Sequence, residues 1–155
     1  MTDPIRLQVN GRSVDVAVDP LTPLRTVLGE LLGLRSVRMP CGVGACGACT
    51  VLVDGRPVKG CLHPVGLAAG RTILTAEGLP PDDPVAAAFA ARNAFQCGFC
   101  SPGFVMAVHG LLAEDRAPDD ATVRAALTGN LCRCGSYPLI LEAVRELAGE
   151  GGAGR

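Results

Sequence analysis

Eight cysteines and only two histidines in 155 residues put the reactive chemistry of this chain on sulfur. Four of them, Cys41, Cys46, Cys49 and Cys61, are spaced C-x4-C-x2-C, with eleven residues before the fourth. The other four come as Cys97-x2-Cys100 and, after 31 residues, Cys132-Arg-Cys134. The first spacing is that of a plant-type 2Fe-2S site, where three thiolates share one loop and the fourth arrives from a neighbouring strand. Gly42, Gly44 and Gly47 let that loop take positive φ and turn its N–H groups toward the sulfurs. Such hydrogen bonds favour the more negative, reduced cluster and raise its potential.

Two other uses of eight cysteines compete. Disulfides would have 105 possible pairings, but the N-terminus shows neither a basic nor an apolar leader region, and the C-x-C pair is too tight to favour them. Zinc is the stronger rival, since Cys97-x2-Cys100 alone suits it equally well. C-x-C falls below the usual two to four residues between zinc ligands, and two complete sets of four with none left over favour iron–sulfur. A zinc-stabilised structural module stands as the alternative.

The elements that must position these sulfurs follow from periodicity. Ile5, Leu7 and Val9, then Val14, Val16 and Val18, alternate around Asn10-Gly11, a strong hairpin signal. Thr22-Pro23 opens a helix with the stripe Leu24, Val27, Leu28, Leu31 and Leu32, closed by Gly33. After the cysteine loop, Thr50–Val53 reads as a strand, Asp54-Gly55 as a turn, Val58–Leu62 as its return and Thr72–Thr75 as one more strand. The stretch 77–84 carries three prolines and no periodicity, so it reads as a linker after a first domain of residues 1–76. Residues 85–148 predict four helices, beginning near Val85, Pro102, Asp119/Asp120 and Tyr137, and the glycine-rich residues 149–155 predict a disordered tail. The fold class is α+β.

Composition narrows the function. One tyrosine, four phenylalanines and no tryptophan leave a core of Ala, Val and Leu, with metal sites as staples for two halves of marginal size. The net charge is −1, Lys59 is the single lysine and no basic run occurs, which argues against a nucleic-acid surface. No apolar run approaches the roughly 20 residues of a membrane span, and a cytoplasmic location is expected.

Three segments together carry a family resemblance: Cys41-Gly-Val-Gly-Ala-Cys-Gly-Ala-Cys-Thr-Val-Leu-Val-Asp-Gly55, Gln96-Cys-Gly-Phe-Cys-Ser-Pro-Gly103 and Gly129-Asn-Leu-Cys-Arg-Cys-Gly-Ser-Tyr137. In this order they resemble the iron–sulfur small subunit of the xanthine oxidase family of molybdenum hydroxylases, over nearly the whole chain. The resemblance implies an N-terminal β-grasp plant-type 2Fe-2S ferredoxin domain, then an all-α four-helix 2Fe-2S domain. It implies an electron-transfer role: a large partner subunit with molybdopterin cytosine dinucleotide hydroxylates the substrate, and a medium subunit often holds FAD. By the same resemblance the cluster of Cys97, Cys100, Cys132 and Cys134 lies nearer the pterin, with Gln96 and Cys134 at pterin-contact positions. The cluster of Cys41, Cys46, Cys49 and Cys61 passes electrons to flavin or another acceptor, and no residue of this chain is catalytic.

Two departures qualify the match. Met39-Pro40 precedes Cys41 where relatives commonly have Gly, which removes one N–H near the first cluster. Gly135-Ser-Tyr137-Pro138 differs from the Thr-Gly-Tyr of many relatives and approaches the form of some N-heterocycle oxidoreductases, a lean toward N-heterocyclic over purine or aldehyde substrates. A free-standing two-cluster ferredoxin and a dehydroxylating reductase of the same plan are the alternative functions. Arg133, between two ligands, reads either as a charge that offsets the cluster or as an interface ion-pair residue. His63 and His109 read as a surface or capping residue and a hydrogen-bonded packing residue, Phe99 and Phe104 as shields or core, and Glu142, Arg145 and Glu146 as a solvated helix face.

Overall fold

The computed structural model describes residues 3–152. Strands β1 (Ile5–Val9) and β2 (Arg12–Val16) form the expected hairpin, with Asn10 and Gly11 both at positive φ, +50° and +78°. This pair of left-handed residues is what a two-residue turn needs to match the strand twist. With β3 (Thr50–Val53), β4 (Arg56–Lys59) and β5 (Thr72–Leu74) they make a mixed sheet of order β2-β1-β5-β3-β4, parallel only between β1 and β5. The return strand begins at Arg56 and ends at Lys59, not at Leu62. The tight Asp54-Gly55 turn pairs Val53 with Arg56 and Thr50 with Lys59, so Cys61 lies beyond the ladder.

Helix α1 is short, Leu24–Thr26, and widens into a π-helical turn, Val27–Leu31, in which Leu32 N–H donates to Val27 O at 3.0 Å. The extra residue per turn rotates the stripe. Leu24, Val27 and Leu28 are buried against the sheet, whereas Leu31 is 56% exposed and Leu32 only partly buried. The five-leucine-and-valine face expected for a regular helix is therefore cut to three.

The second half holds α2 (Pro84–Ala91), α3 (Ser101–Glu114), α4 (Asp120–Leu127) and α5 (Tyr137–Gly152). Asp83 and Asp119 cap α2 and α4, accepting from Ala86 N and Thr122 N at 2.8 Å each, and Phe89, Phe104, Val108, Val123, Ile140 and Val144 form their shared core. Helix α5 continues through Gly149 to Gly152, past the boundary expected at 148. Of the anticipated disordered tail, residues 153–155 lie outside the described residues. Glu142 and Glu146 meet Arg92 at the C-terminal end of α2, and Arg145 pairs with Asp120 of α4. The face of α5 expected to be solvated thus binds its neighbours.

The two halves meet through α3. All four residues of β3 are buried, because α1 lies on one face of the sheet and α3 on the other. A Cβ on Gly103 would stand 2.3 Å from Gly47 O, and one on Gly110 would stand 2.6 Å from Pro57. Only glycine lets the helix backbone approach this closely. The 77–84 connection is tied down as well: Glu77 accepts from Ser36 N at 2.9 Å and from Thr75 Oγ1 at 3.0 Å. Asp83, 3% exposed, places Oδ2 2.8 Å from His109 Nε2, a close polar contact without hydrogen-bond alignment. Among the described residues no helix is long and apolar enough to cross a membrane.

Candidate metal centres

The loop from Cys41 to Cys49 has no regular structure and folds on its glycines: Gly42, Gly44 and Gly47 sit at φ +69°, +75° and +71°. This turns the N–H groups of Val43, Cys46 and Ala45 onto the Cys41 sulfur, which lowers its pKa to about 6. The neighbouring thiols behave in the opposite way. Burial raises Cys46, and it pushes Cys49 up to about 11. Cys61 N–H lies 3.5 Å from Cys49 Sγ. The first set therefore gathers as two thiol pairs, Cys41 with Cys46 and Cys49 with Cys61.

The second set is drawn together from two loops. Cys97 follows α2, Cys100 stands at the N-terminus of α3, and Cys132 and Cys134 occupy the turn between α4 and α5. Cys97 and Cys134 sulfurs are 3.6 Å apart, and Cys132 is near enough to Cys100 to raise its pKa. Burial raises Cys100 to about 12; the Phe99 N–H lowers Cys97. At Cys132 burial pulls upward, yet the Ser136 N–H and hydroxyl, the Cys100 thiol and the Cys134 N–H together hold it below its ordinary value. Tyr137 hydroxyl accepts from Cys132 N at 2.7 Å while its ring packs edge-on against Phe104, 6.0 Å between centroids.

Among the described residues no group of three or more His, Cys, Asp or Glu is placed to hold a single metal ion. The sulfurs meet two by two, and a 2Fe-2S group takes four thiolates, two on each iron. The donor set, the pairing and the inward N–H groups all fit that group. The two sites are close neighbours, since Cys46, Cys97, Cys100 and Cys132 line one cleft of about 450 Å³. Cys49, Cys61 and Cys132 are buried, whereas Cys97 is exposed.

Of the other residues singled out in the sequence, Gln96 is exposed beside Cys97 and Arg133 lines the same cleft with no ion pair among the described residues. His63 is partly buried, its Nε2 without a hydrogen-bond partner among the described residues, and burial and then Arg71 lower its pKa. Phe104 is core; Phe99 is 46% exposed and lies under the Arg38 guanidinium, 5.0 Å from its ring centre. Sequence reasoning missed the cross-braces. Arg38, three residues before Cys41, donates to Gly98 O at 2.8 Å and Phe99 O at 2.7 Å. Asn130 Nδ2 donates to Gly47 O at 3.1 Å, Leu131 N–H donates to Cys46 O at 2.8 Å, and Lys59 reaches Gly129. Such contacts join segments 60 or more residues apart and leave no local pattern, although Lys59 could have been singled out as the sole lysine.

Comparison with known proteins agrees with this geometry. A family model described as a 2Fe-2S iron–sulfur cluster binding domain matches residues 7–75, and one described as a 2Fe-2S binding domain matches residues 75–145. A nicotinate dehydrogenase subunit of Pseudomonas putida KT2440 is 44% identical, the alignment covering 96% of each chain. The xanthine dehydrogenase iron–sulfur-binding subunit of Escherichia coli O157:H7 is 43% identical over 90% of this chain and 91% of its own length. Among solved structures, quinoline 2-oxidoreductase from Pseudomonas putida 86 superposes with a TM-score of 0.88 at 35% identity, over 97% of this chain and 96% of that one.

Proposed function

From the premise that the chain belongs to the iron–sulfur subunits of the xanthine oxidase family, we propose that Cys41, Cys46, Cys49 and Cys61 hold one 2Fe-2S cluster and that Cys97, Cys100, Cys132 and Cys134 hold the other. The chain is the electron-transfer subunit of a heteromeric molybdenum hydroxylase. One observation carries the ligand assignment: cysteines distant in sequence are brought together, Cys61 N–H onto Cys49 Sγ in the first set and the Cys97 sulfur 3.6 Å from that of Cys134 in the second. Bound there, each cluster accepts and passes on one electron at a time. The residues of this chain bind the clusters through sulfur, supply N–H groups at Cys41, Cys97 and Cys132, and keep water from Cys49, Cys61 and Cys132.

The finer reading has its own supports. The five-stranded mixed sheet crossed by α1 suits a β-grasp ferredoxin-like domain over residues 1–76, with 77–84 as the connection and 85–148 as a four-helix domain. The partner reading is a large subunit carrying molybdopterin cytosine dinucleotide, close to the second cluster, and a medium subunit with FAD beyond the first. Cys97 and Gln96 are exposed, Cys134 is partly so, and Phe95, Phe99 and Leu131 stand 42–52% exposed around them, an apolar rim suited to burial against another chain. Gln96 and Cys134 are the residues assigned to the pterin. Relatives named for nicotinate, quinoline and isoquinoline favour an N-heterocyclic substrate, and the location assigned is cytoplasmic.

Two measurements test this. Dithionite-reduced protein should give two distinct 2Fe-2S EPR signals, and one signal or none would overturn the ligand assignment. Affinity purification from the native host should bring down larger chains in constant ratio, whereas a chain that purifies alone would favour a free-standing ferredoxin.

A further inference from the structure

The sole lysine is placed unlike the paired arginines of the chain. Arg6, Arg25, Arg71, Arg92 and Arg145 each face a carboxylate on the surface or near it. Lys59 ends β4, two residues before Cys61, and is partly buried. Its Nζ donates to Gly129 O at 2.7 Å, Asn130 Oδ1 at 3.1 Å and Thr50 Oγ1 at 3.2 Å. All three partners are neutral, and no carboxylate among the described residues pairs with it. A Cβ on Gly129 would come 3.1 Å from Nζ, so glycine there leaves room for the ammonium.

An ammonium removed from water is costly unless an anion offsets it. Lys59 has neutral partners only among the described residues, and it stands two residues before Cys61 and within hydrogen-bond reach of Thr50, which follows Cys49. The ladder places Lys59 opposite Thr50, the residue after Cys49, so a 2Fe-2S cluster held by the first set brings its negative charge next to this ammonium and gains a further one on reduction.

Resting on the cluster assignment above, we propose that Lys59 is a positioning and charge-compensating residue of the first centre. Its ammonium ties the Cys49-Thr50 segment to the Gly129-Asn130 turn that leads into Cys132, and its fixed charge favours the reduced first cluster. Lysine suits the place because a compact charge with three rotatable donors meets three converging acceptors. The effect falls off with distance and is strongest where water is excluded, so the first cluster responds more than the second.

The test is an EPR-monitored redox titration of the cluster-loaded full chain, the first cluster's signal being the one perturbed by Cys41→Ser. Lys59→Gln should disfavour reduction of the first cluster about tenfold, a fall of ~59 mV for a one-electron couple. The second cluster should move by less than half as much, and Lys59→Arg should restore most of the loss. An unmoved first midpoint, or an equal fall of both, would overturn the proposal. Should Lys59→Gln fail to take up clusters, Asn130→Asp decides, because it sets a carboxylate against the ammonium. A lower first midpoint supports the proposal, and an unchanged one overturns it. A wild-type chain without two 2Fe-2S signals would remove the cluster assignment and this proposal together. Two signals with an unmoved midpoint would remove this proposal alone.

Discussion

Gly47 shows how much one position can carry. It sits between Cys46 and Cys49 at φ +71°, its carbonyl accepts from Asn130 Nδ2 and Thr50 Oγ1, and an added Cβ would lie 2.3 Å from Gly129 O and 2.6 Å from Asn130. Gly47→Ala meets two penalties, a left-handed backbone and a clash with another backbone. The expected loss is about 3 kcal/mol or more, read as a lower denaturation midpoint together with weaker iron content. Gly11→Ala, also at positive φ but with nothing within 4 Å, should cost only about 1 kcal/mol by the same measurement. A similar loss in both variants would show that backbone strain, not the junction, decides.

Elements here are held at their ends. Asp83 caps α2 and touches His109 on α3, so Asp83→Ala should cost about 1 kcal/mol for the cap and more for the lost contact between the two helices, seen as a lower midpoint in a helix-monitored melt. Asp119→Ala, which removes a cap without a second contact, should cost less. The 3-10 turn Ala76–Gly78 carries Glu77, whose carboxyl lies below its ordinary value: burial raises it, but the Ser36 hydroxyl and N–H and the Thr75 hydroxyl outweigh that. For a depressed carboxyl the unfolded chain takes up its proton first. The contribution is complete above the ordinary pKa of 4.5 and is lost as pH falls below it. Urea midpoints of wild type should therefore exceed those of Glu77→Gln at pH 7, with the gap closing below about pH 4.5. A gap that stays constant with pH would mean that the bonds to Ser36 and Thr75 act without the charge.

The whole molecule consists of two small cores joined by hydrogen bonds between their cysteine loops and by α3 lying on β3. Metal binding and folding are coupled when the ligands come from irregular loops, and both loops here lack regular structure. Chelator removal of iron should thus expose residues 41–49 and 97–100 first, seen by limited proteolysis with mass mapping of the fragments. The 77–84 stretch, despite its prolines, is anchored by Glu77 and Asp83 and should resist. First cleavage there would show that the cores, rather than the clusters, hold the loops.

Read alone, the amino-acid order settles the chemistry and its punctuation. The C-x4-C-x2-C and C-x-C spacings, the hairpin turns at Asn10-Gly11 and Asp54-Gly55 and the helix start at Asp119/Asp120 are local features, whose physics acts over a few residues and so can be read from a few residues. Leu31 escaped such reading because one π turn rotates a stripe without altering its spacing, and β4 because its register is set by the turn rather than by its own hydrophobicity. How the two sites meet is decided by the folded chain alone. Lys59 with Gly129, Arg38 with Phe99, Asn130 with Gly47 and Gly103 against Gly47 join residues about 55 to 85 positions apart, and close packing of two backbones depends on both partners at once. No single segment carries that information.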